Sequence, residues 1–161
     1  MNVQEATTRR LPDLKERHLP ENCRETINTI LKETYGYEQF RNLEIYDDLS
    51  KGKEKLCISQ GQLIENVILE AEKAWKSETQ VDNILLTAPT GSGKSLLFQL
   101  PAIYLGKEYN LLTIVVSPLK ALIVGQVESL QELGYARVAY ASSDLSPEQK
   151  MEVYRQVREG E

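Results

Sequence analysis

The sequence has few cysteines, no long apolar run and no excess of positive charge. Its two cysteines, Cys23 and Cys57, lie far apart and match no metal-ligand spacing, which favours free thiols in a reducing cytoplasm over a disulfide. No segment approaches the roughly 18 uninterrupted apolar residues of a membrane span, and the N-terminus lacks the apolar core of a signal peptide. The sequence therefore predicts a cytoplasmic protein that is neither secreted nor membrane-spanning.

The charge balance is mildly acidic, with a net charge of -5 at pH 7. This value argues against a uniformly basic surface for nucleic acid, although a local basic patch can coexist with an acidic total. Apolar side chains make up 41% of the 161 residues, and no repeat or low-complexity tract is present. A chain of this length and composition can bury one hydrophobic core and has little room for a second.

A glycine-rich segment at 88–95 is the clearest functional motif. It reads Ala-Pro-Thr-Gly-Ser-Gly-Lys-Ser and directly follows the apolar stretch 83–87. Backbone N–H groups in such a loop point at phosphate oxygens, and glycine permits the left-handed backbone that the turn requires. Lys94 is expected to reach the β and γ phosphates as the catalytic candidate, and Ser95 to ligate Mg²⁺. The segment predicts an ATP and Mg²⁺ site made by Thr90, Gly91, Ser92, Gly93, Lys94 and Ser95.

Strand and helix patterns alternate around this loop. The apolar stretches 83–87, 111–116 and 137–141 are typical of buried strands. A helix short or kinked at Pro101, a helix from Ser117 to Leu133 and a last helix capped by Ser146 and Gln149 follow them in turn. We expect the last helix to point Met151, Tyr154 and Val157 inward. The order predicts an α/β fold in which a parallel sheet carries helices on both faces.

The chain before residue 81 is more polar. We expect a flexible N-terminal arm over 1–24, a helix over 25–34, and a surface loop or insertion over 42–58 that contains Asp47 and Asp48. A clean amphipathic helix ends near Trp75 and is expected to pack beside the sheet. Its apolar face consists of Leu63, Ile64, Val67, Ile68, Ala71 and Ala74.

Four motifs in order resemble the first motor lobe of a superfamily 2 helicase, most of all the RecQ-like DNA helicases. They are Tyr35-Gly36-Tyr37 with Phe40-Arg41, the loop 90–95 with 98–102, 115–119 with Gln126-Val127, and 145–148 with 158–161. The resemblance covers roughly positions 30 to 160. It implies a P-loop NTPase (RecA-like) lobe, incomplete here, over 81–161, preceded by an adenine-recognition region with a polar insertion over 25–80.

The resemblance also implies where adenine is held. Tyr37 and Arg41 belong to the family's adenine-recognition motif, although Tyr37 and Phe40 could equally be core. The family places a glutamine soon after Phe-Arg, whereas this chain has Glu44 there and offers Gln60 and Gln62 only after the polar segment. A glutamine amide can both donate to and accept from adenine, whereas a carboxylate cannot, so Gln62 is the candidate, with Gln60 as its competitor. Either glutamine could instead face solvent.

For nucleic acid, the resemblance implies a single-stranded or partly duplex partner, expected to be DNA, with 115–127 lying along the bound single strand. Ser117 and Lys120 are the candidate phosphate contacts, and an ordinary exposed lysine is the alternative for Lys120. Gly125 stands where the family commonly has an acidic residue. In such motors ATP closes two lobes and hydrolysis reopens them, which advances the motor along the strand.

Two expected elements are missing. A helicase needs an Asp-Glu pair at the end of another buried strand and an arginine from a second lobe. Asp47-Asp48 precedes the loop and Asp144 follows serines, so neither supplies the pair. We therefore expect a fragment of a longer motor protein that binds nucleotide weakly, without efficient hydrolysis or unwinding. A small phosphotransferase and a noncatalytic ATP-binding or scaffold module are the alternatives.

Overall fold

The computed structural model describes residues 16–46, 55–77, 81 and 83–160, with the side chains of Ile45 and Tyr46 left out of the description. Five helices and two strands are formed there. In chain order they are α1 (Glu21–Tyr35), β1 (Asn42–Tyr46), β2 (Lys55–Ser59), α2 (Gln60–Trp75), α3 (Leu96–Tyr109), α4 (Lys120–Glu132) and α5 (Pro147–Glu159).

Helices α1, α2 and α3 build the hydrophobic core. Ile30 of α1, Ile64 of α2 and Leu100 of α3 are almost completely buried, and both α1 and α2 pack against α3. The amphipathic pattern predicted for 63–74 is confirmed in part: Leu63, Ile64 and Ile68 are buried and Val67 and Ala71 half-buried, but Ala74 is exposed. Burying side chains of this size stabilises the fold by about 1.5–3 kcal/mol each. The core thus fixes α2 and α3, which flank the glycine-rich loop on its two sides.

Strands β1 and β2 form an antiparallel hairpin where the sequence predicts a surface loop or insertion. Their register runs from Asn42 opposite Ser59 to Tyr46 opposite Lys55. The missed signal is a period-two alternation, which places Leu43 opposite Ile58 in the ladder. Asp47 and Asp48 lie outside the described residues. The segment is therefore an inserted hairpin whose two ends lie next to each other in space.

Residues 16–24 differ from the flexible arm expected over 1–24. Helix α1 begins at Glu21, and Leu19 is buried in the core. The Leu19 N–H donates to the Glu65 carboxylate at 3.0 Å, and Arg17 pairs with Glu70 at 2.6 Å. These contacts tie the segment to α2, so this part of the expected arm is packed. The rest of the arm lies outside the described residues.

The structure does not confirm the parallel sheet. In the described part of the chain the one sheet is the β1–β2 hairpin, and the stretches 83–87, 111–116 and 137–141 are not paired as strands. Leu85 is 91% exposed and Val116 is 89% exposed. A parallel strand gains its stability from neighbours on both edges and helices on both faces, and these stretches have neither here.

The helices expected to cover that sheet likewise expose apolar side chains to solvent. Helix α5 begins with the predicted capping box, in which the Ser146 hydroxyl accepts from the Gln149 N–H at 3.2 Å. The expectation that Met151, Tyr154 and Val157 point inward is wrong, because all three are exposed. Helix α3 is not shortened by Pro101 and runs on to Tyr109. Packing on the core outweighs the one hydrogen bond that the proline removes.

Two observations bear on the environment of the chain. Cys23 and Cys57 are free thiols, as predicted. Among the described residues, no helix combines the length and the apolar character that crossing a bilayer demands.

Candidate nucleotide-binding site

The glycine-rich loop has the backbone that its sequence predicts. Gly91 and Gly93 adopt left-handed conformations, with φ of 81° and 80°, and α3 begins directly after Ser95. A side chain at either position would strain the turn. The loop therefore delivers its residues to the N-terminal end of α3, where the helix dipole favours an anion.

The loop carries a set of unused hydrogen-bond groups. In the described part of the chain, the backbone N–H groups of Gly91, Gly93, Lys94 and Ser95 have no protein acceptor. The Ser92 hydroxyl is buried there without a partner. Unsatisfied donors that converge in one short loop form an anion-binding nest. The residues present thus fit a phosphate group.

The Lys94 ammonium lies folded over the loop. Its Nζ donates to the carbonyls of Ala88, at 2.7 Å, and Pro89, at 2.5 Å. These two carbonyls hold the positive charge above the same turn that carries the free N–H groups. The lysine is therefore already at the loop, in a position from which it can exchange carbonyl oxygens for phosphate oxygens.

The Gln60 side chain clasps this loop to the region before it. Its Oε1 accepts the Arg41 N–H at 3.1 Å, and its Nε2 donates to the carbonyls of Ser92, at 3.3 Å, and Gly93, at 3.4 Å. Gln60 is 2% exposed. Both ends of its amide are thus engaged with backbone.

An open cleft of about 270 Å³ lies beside the start of α2. Both Gln62 and Phe40 contribute to it, and the Phe40 ring lies so near α2 that a Cβ at Gly61 would come within 2.6 Å of it. The volume is slightly below the range of about 300–1,000 Å³ usual for drug-sized ligands. The lining residues are His18, Arg24, Ile27, Asn28, Phe40, Ser59, Gly61, Gln62 and Glu65.

The inserted hairpin explains why the glutamine stands late in the sequence. Because Gln60 N–H donates to the Arg41 carbonyl at 2.8 Å, the chain resumes beside the point where it left. Once the hairpin is passed over, Gln62 is the third residue after Arg41. The structure therefore brings Phe40 and Gln62 together at one cleft, which linear spacing alone conceals.

Tyr37 and Arg41 lie at the surface. The Tyr37 ring is about half exposed and stacks on Tyr35, with ring centroids 6.4 Å apart and planes at 14°. Arg41 is exposed, and neither residue lines the cleft beside Gln62. The structure thus brings Gln62 and Phe40 to the cleft, and leaves Tyr37 and Arg41 on the adjoining surface.

A series of hydrogen-bonded, partly buried side chains ends at the Ser95 hydroxyl. The sequence predicts no role for this series. The Gln126 Nε2 donates to the Ser95 hydroxyl at 3.2 Å, and the Gln99 Nε2 donates to the Gln126 Oε1 at 2.5 Å. The Tyr35 hydroxyl donates to the Gln99 Oε1 at 3.3 Å, and burial raises the pKa of Tyr35 well above its usual range. The signal for such residues is glutamine at positions of α3 and α4 where the helical spacing calls for apolar side chains.

Ser117 and Lys120 lie at the start of α4. The Ser117 hydroxyl accepts the Leu119 N–H at 3.3 Å, and the Lys120 Nζ pairs with the Asp144 carboxylate at 2.5 Å. Hydrogen bonding to Lys120 lowers the pKa of Asp144. The pair is exposed to solvent, so Asp144 competes with any phosphate for the one charge that Lys120 carries.

Comparisons with known proteins identify the family of the chain. The family model for the DEAD/DEAH box helicase matches residues 67–159. The chain is 31% identical over 132 residues to an ATP-dependent DNA helicase RecQ of Synechocystis sp., covering 82% of this chain and 21% of the relative. It is 30% identical over 136 residues to the ATP-dependent DNA helicase Q-like 5 of Arabidopsis thaliana, covering 84% and 11%. The chain spans about a fifth or less of the length of these relatives. No solved structure matches it significantly.

The Gln60 clasp predicts unequal costs for two alanine substitutions in the loop. Gly91→Ala and Gly93→Ala each place a Cβ on left-handed backbone, at about 1–2 kcal/mol. A Cβ at Gly93 would also lie 2.4 Å from the Gln60 Nε2, whereas nothing lies within 4 Å at Gly91. Gly93→Ala should therefore lower the free energy of unfolding in urea by about 1 kcal/mol more, the worth of the lost hydrogen bonds. In a Gln60→Ala background the two losses should be equal; an unchanged difference there would refute the clasp.

Proposed function

Because the chain belongs to the DEAD/DEAH box helicase family, and so has a P-loop NTPase fold, we propose that it forms the ATP-binding part of the first motor lobe of a RecQ-like DNA helicase. The observation that carries the proposal is the loop 88–95, with its unpartnered N–H donors and its folded-over lysine. The RecQ relatives, whose names describe ATP-dependent DNA helicases, support it.

In the proposed complex the loop holds the ATP phosphates. Gly91 and Gly93 supply free backbone donors, the unpartnered Ser92 hydroxyl lies in the same loop with Thr90 at its mouth, and Lys94 exchanges its two carbonyl partners for the β and γ phosphates. The Ser95 hydroxyl is the protein ligand for Mg²⁺, which when bound would neutralise phosphate charge. The donor set fits both groups, because an oxygen ligand suits Mg²⁺ and the free N–H groups suit phosphate.

The adenine is proposed to lie in the cleft beside Gln62. The Gln62 amide carries both a donor and an acceptor that match the adenine edge. Phe40 offers an aromatic face at the same cleft. Tyr37 and Arg41 lie on the adjoining surface and are proposed to close over the base from outside. Tyr37 would act by stacking and Arg41 by its positive charge.

The exposed apolar stretches support a larger lobe. We propose that 83–87, 111–116 and 137–141 become neighbouring strands of the RecA-like parallel sheet in a chain as long as the RecQ relatives. Ile114 is 77% exposed here, and a β-branched run so exposed is typical of a surface that becomes buried. Helices α4 and α5 would then cover the sheet with Leu122, Met151 and Tyr154.

A single DNA strand is the proposed partner. Ser117 and Lys120 precede and begin α4, and they would contact strand phosphates by a hydroxyl and a positive charge. Hydrolysis and unwinding belong to the whole motor, which requires the Asp-Glu pair and a second lobe. For this chain alone we propose nucleotide binding without efficient turnover. The cytoplasmic location expected from the sequence stays a prediction.

The phosphate loop predicts how ATP affinity depends on charge. Lys94→Ala should weaken ATP binding to the 161-residue chain roughly tenfold to hundredfold, since charge-assisted hydrogen bonds to phosphate are lost. Calorimetric titration in the presence of Mg²⁺ measures this, with Lys107→Ala at the exposed end of α3 as the matched control. Equal affinities for the two variants would contradict the proposal, and so would failure of the unsubstituted chain to bind ATP.

The cleft predicts which glutamine selects the base. Gln62→Ala should weaken ATP binding about tenfold and GTP binding much less, because guanine presents a different donor and acceptor pattern at its edge. Competition of ATP and GTP for one fluorescent nucleotide measures the ratio. Gln131→Ala, an exposed glutamine of α4, is the control. If the ratio is unchanged in Gln62→Ala, then adenine is read elsewhere.

The Lys120–Asp144 pair predicts that removing a carboxylate improves strand binding. Asp144→Asn should tighten binding of a single-stranded oligodeoxythymidine about threefold by releasing Lys120, and Lys120→Ala should weaken it. Asp144 is ionised at neutral pH like any ordinary aspartate, and because its pKa is lowered the wild-type chain should gain the same affinity only below the usual range of aspartate titration. Fluorescence anisotropy at low salt measures both effects. An Asp144→Asn effect that persists in Lys120→Ala would show that the carboxylate acts on another group.

A further inference from the structure

Four polar side chains form one continuous hydrogen-bonded chain from α1 to the glycine-rich loop. Tyr35 of α1 donates to Gln99 of α3, Gln99 donates to Gln126 of α4, and Gln126 donates to the Ser95 hydroxyl. Gln99 is 8% exposed, and the other three are half-buried. A polar chain of this kind is costly to bury unless each member is satisfied.

The donor and acceptor order of this chain is fixed by its first member. The Tyr35 hydroxyl is protonated at neutral pH, as any tyrosine with an ordinary pKa is, and burial raises its pKa further. The Tyr35 O–H therefore donates to the Gln99 oxygen, which turns the Gln99 amine toward Gln126 and in turn the Gln126 amine toward Ser95. An amide can accept at its oxygen and donate from its nitrogen, which lets each glutamine pass the hydrogen bond on in this way.

The end of the chain is the hydroxyl that the proposed function assigns to Mg²⁺. A serine oxygen has two lone pairs and one proton. Gln126 engages one lone pair, at 3.2 Å, and holds the oxygen in place, while the other lone pair stays available to a cation. The contact therefore orients the hydroxyl without consuming its capacity as a ligand.

We propose, on the basis of the function proposed above, that Gln126 is a positioning residue for Mg²⁺, held through Gln99 and Tyr35 and acting through the Ser95 hydroxyl. Because Gln126 lies on α4, which begins at Lys120, the chain also links the segment assigned to the DNA strand with the cation ligand. Removing the Gln126 amide leaves the Ser95 oxygen free to rotate. Mg²⁺ then adds less to ATP affinity, whereas binding of ATP without the metal is unaffected.

The test compares ATP affinity of the 161-residue chain in excess Mg²⁺ and in EDTA, by calorimetry. The ratio of the two affinities should fall about fivefold in Gln126→Ala, the effect expected of one hydrogen bond, with the EDTA affinity unchanged. Gln131→Ala, the same substitution at an exposed site of the same helix, should leave the ratio as it is. Tyr35→Phe, which keeps the ring, should lower the ratio about twofold, and it tests the relay even if Gln126→Ala fails to fold.

The outcomes separate this inference from the proposed function. Ser95→Ala should abolish the effect of Mg²⁺ on ATP affinity in either case. A wild-type ratio of the two affinities near one would contradict the proposed metal site itself. If wild type shows the Mg²⁺ effect and neither Gln126→Ala nor Tyr35→Phe reduces it, the positioning role is wrong while the site stands. Equal weakening with and without Mg²⁺ would mean that Gln126 only supports the fold, and that too overturns the inference.

Discussion

The Gln60 amide is the interaction on which the candidate site depends. One side chain accepts from the backbone at Arg41 and donates to the loop carbonyls of Ser92 and Gly93. The helical core fixes α2, which carries Gln60, and α3, which begins where the loop ends. The hydrogen bonds of Gln60 thus attach the loop, whose residues are exposed or half-buried, to the buried core. The fold can hold the N–H groups of such a loop unpaired, at a cost to its own stability. Binding of a phosphate then requires no further ordering of the loop.

The sequence predicts the helices and the loop because their signals are local. Apolar spacing in 63–74, the capping box at Ser146 and the glycines of the loop each act within a few residues, and the structure agrees with them. Contacts between distant residues leave weaker traces. The hairpin that returns Gln60 to Arg41, the seating of Leu19 on the core and the relay from Tyr35 to Ser95 all join residues at least 19 positions apart. No periodicity within one element encodes such pairings.

The two halves of the chain also differ in how completely their apolar faces are used. Helices α1 to α3 bury theirs against one another, whereas 111–116 and α5 leave large apolar side chains in contact with water. The hydrophobic pattern in the second half is as strong as in the first, so the pattern alone cannot say which surfaces find a partner. The DEAD/DEAH box helicase model matches that second half, and the match covers about a fifth or less of the length of the RecQ relatives. In the proposed function these stretches are strands of a parallel sheet, which is normally covered on both faces, and that would account for the contrast.

The central claim is that the loop 88–95 is arranged for phosphate before any nucleotide binds. The most direct measurement is a titration of the ¹⁵N-labelled chain with ATP and Mg²⁺, followed through its backbone amide resonances. The account predicts the largest downfield amide proton shifts at Gly91, Gly93, Lys94 and Ser95, where the N–H groups gain charged acceptors, with little change at the clasped carbonyl side of the loop. Shifts spread evenly over the chain, or centred on α5 and absent from these four amides, would contradict it.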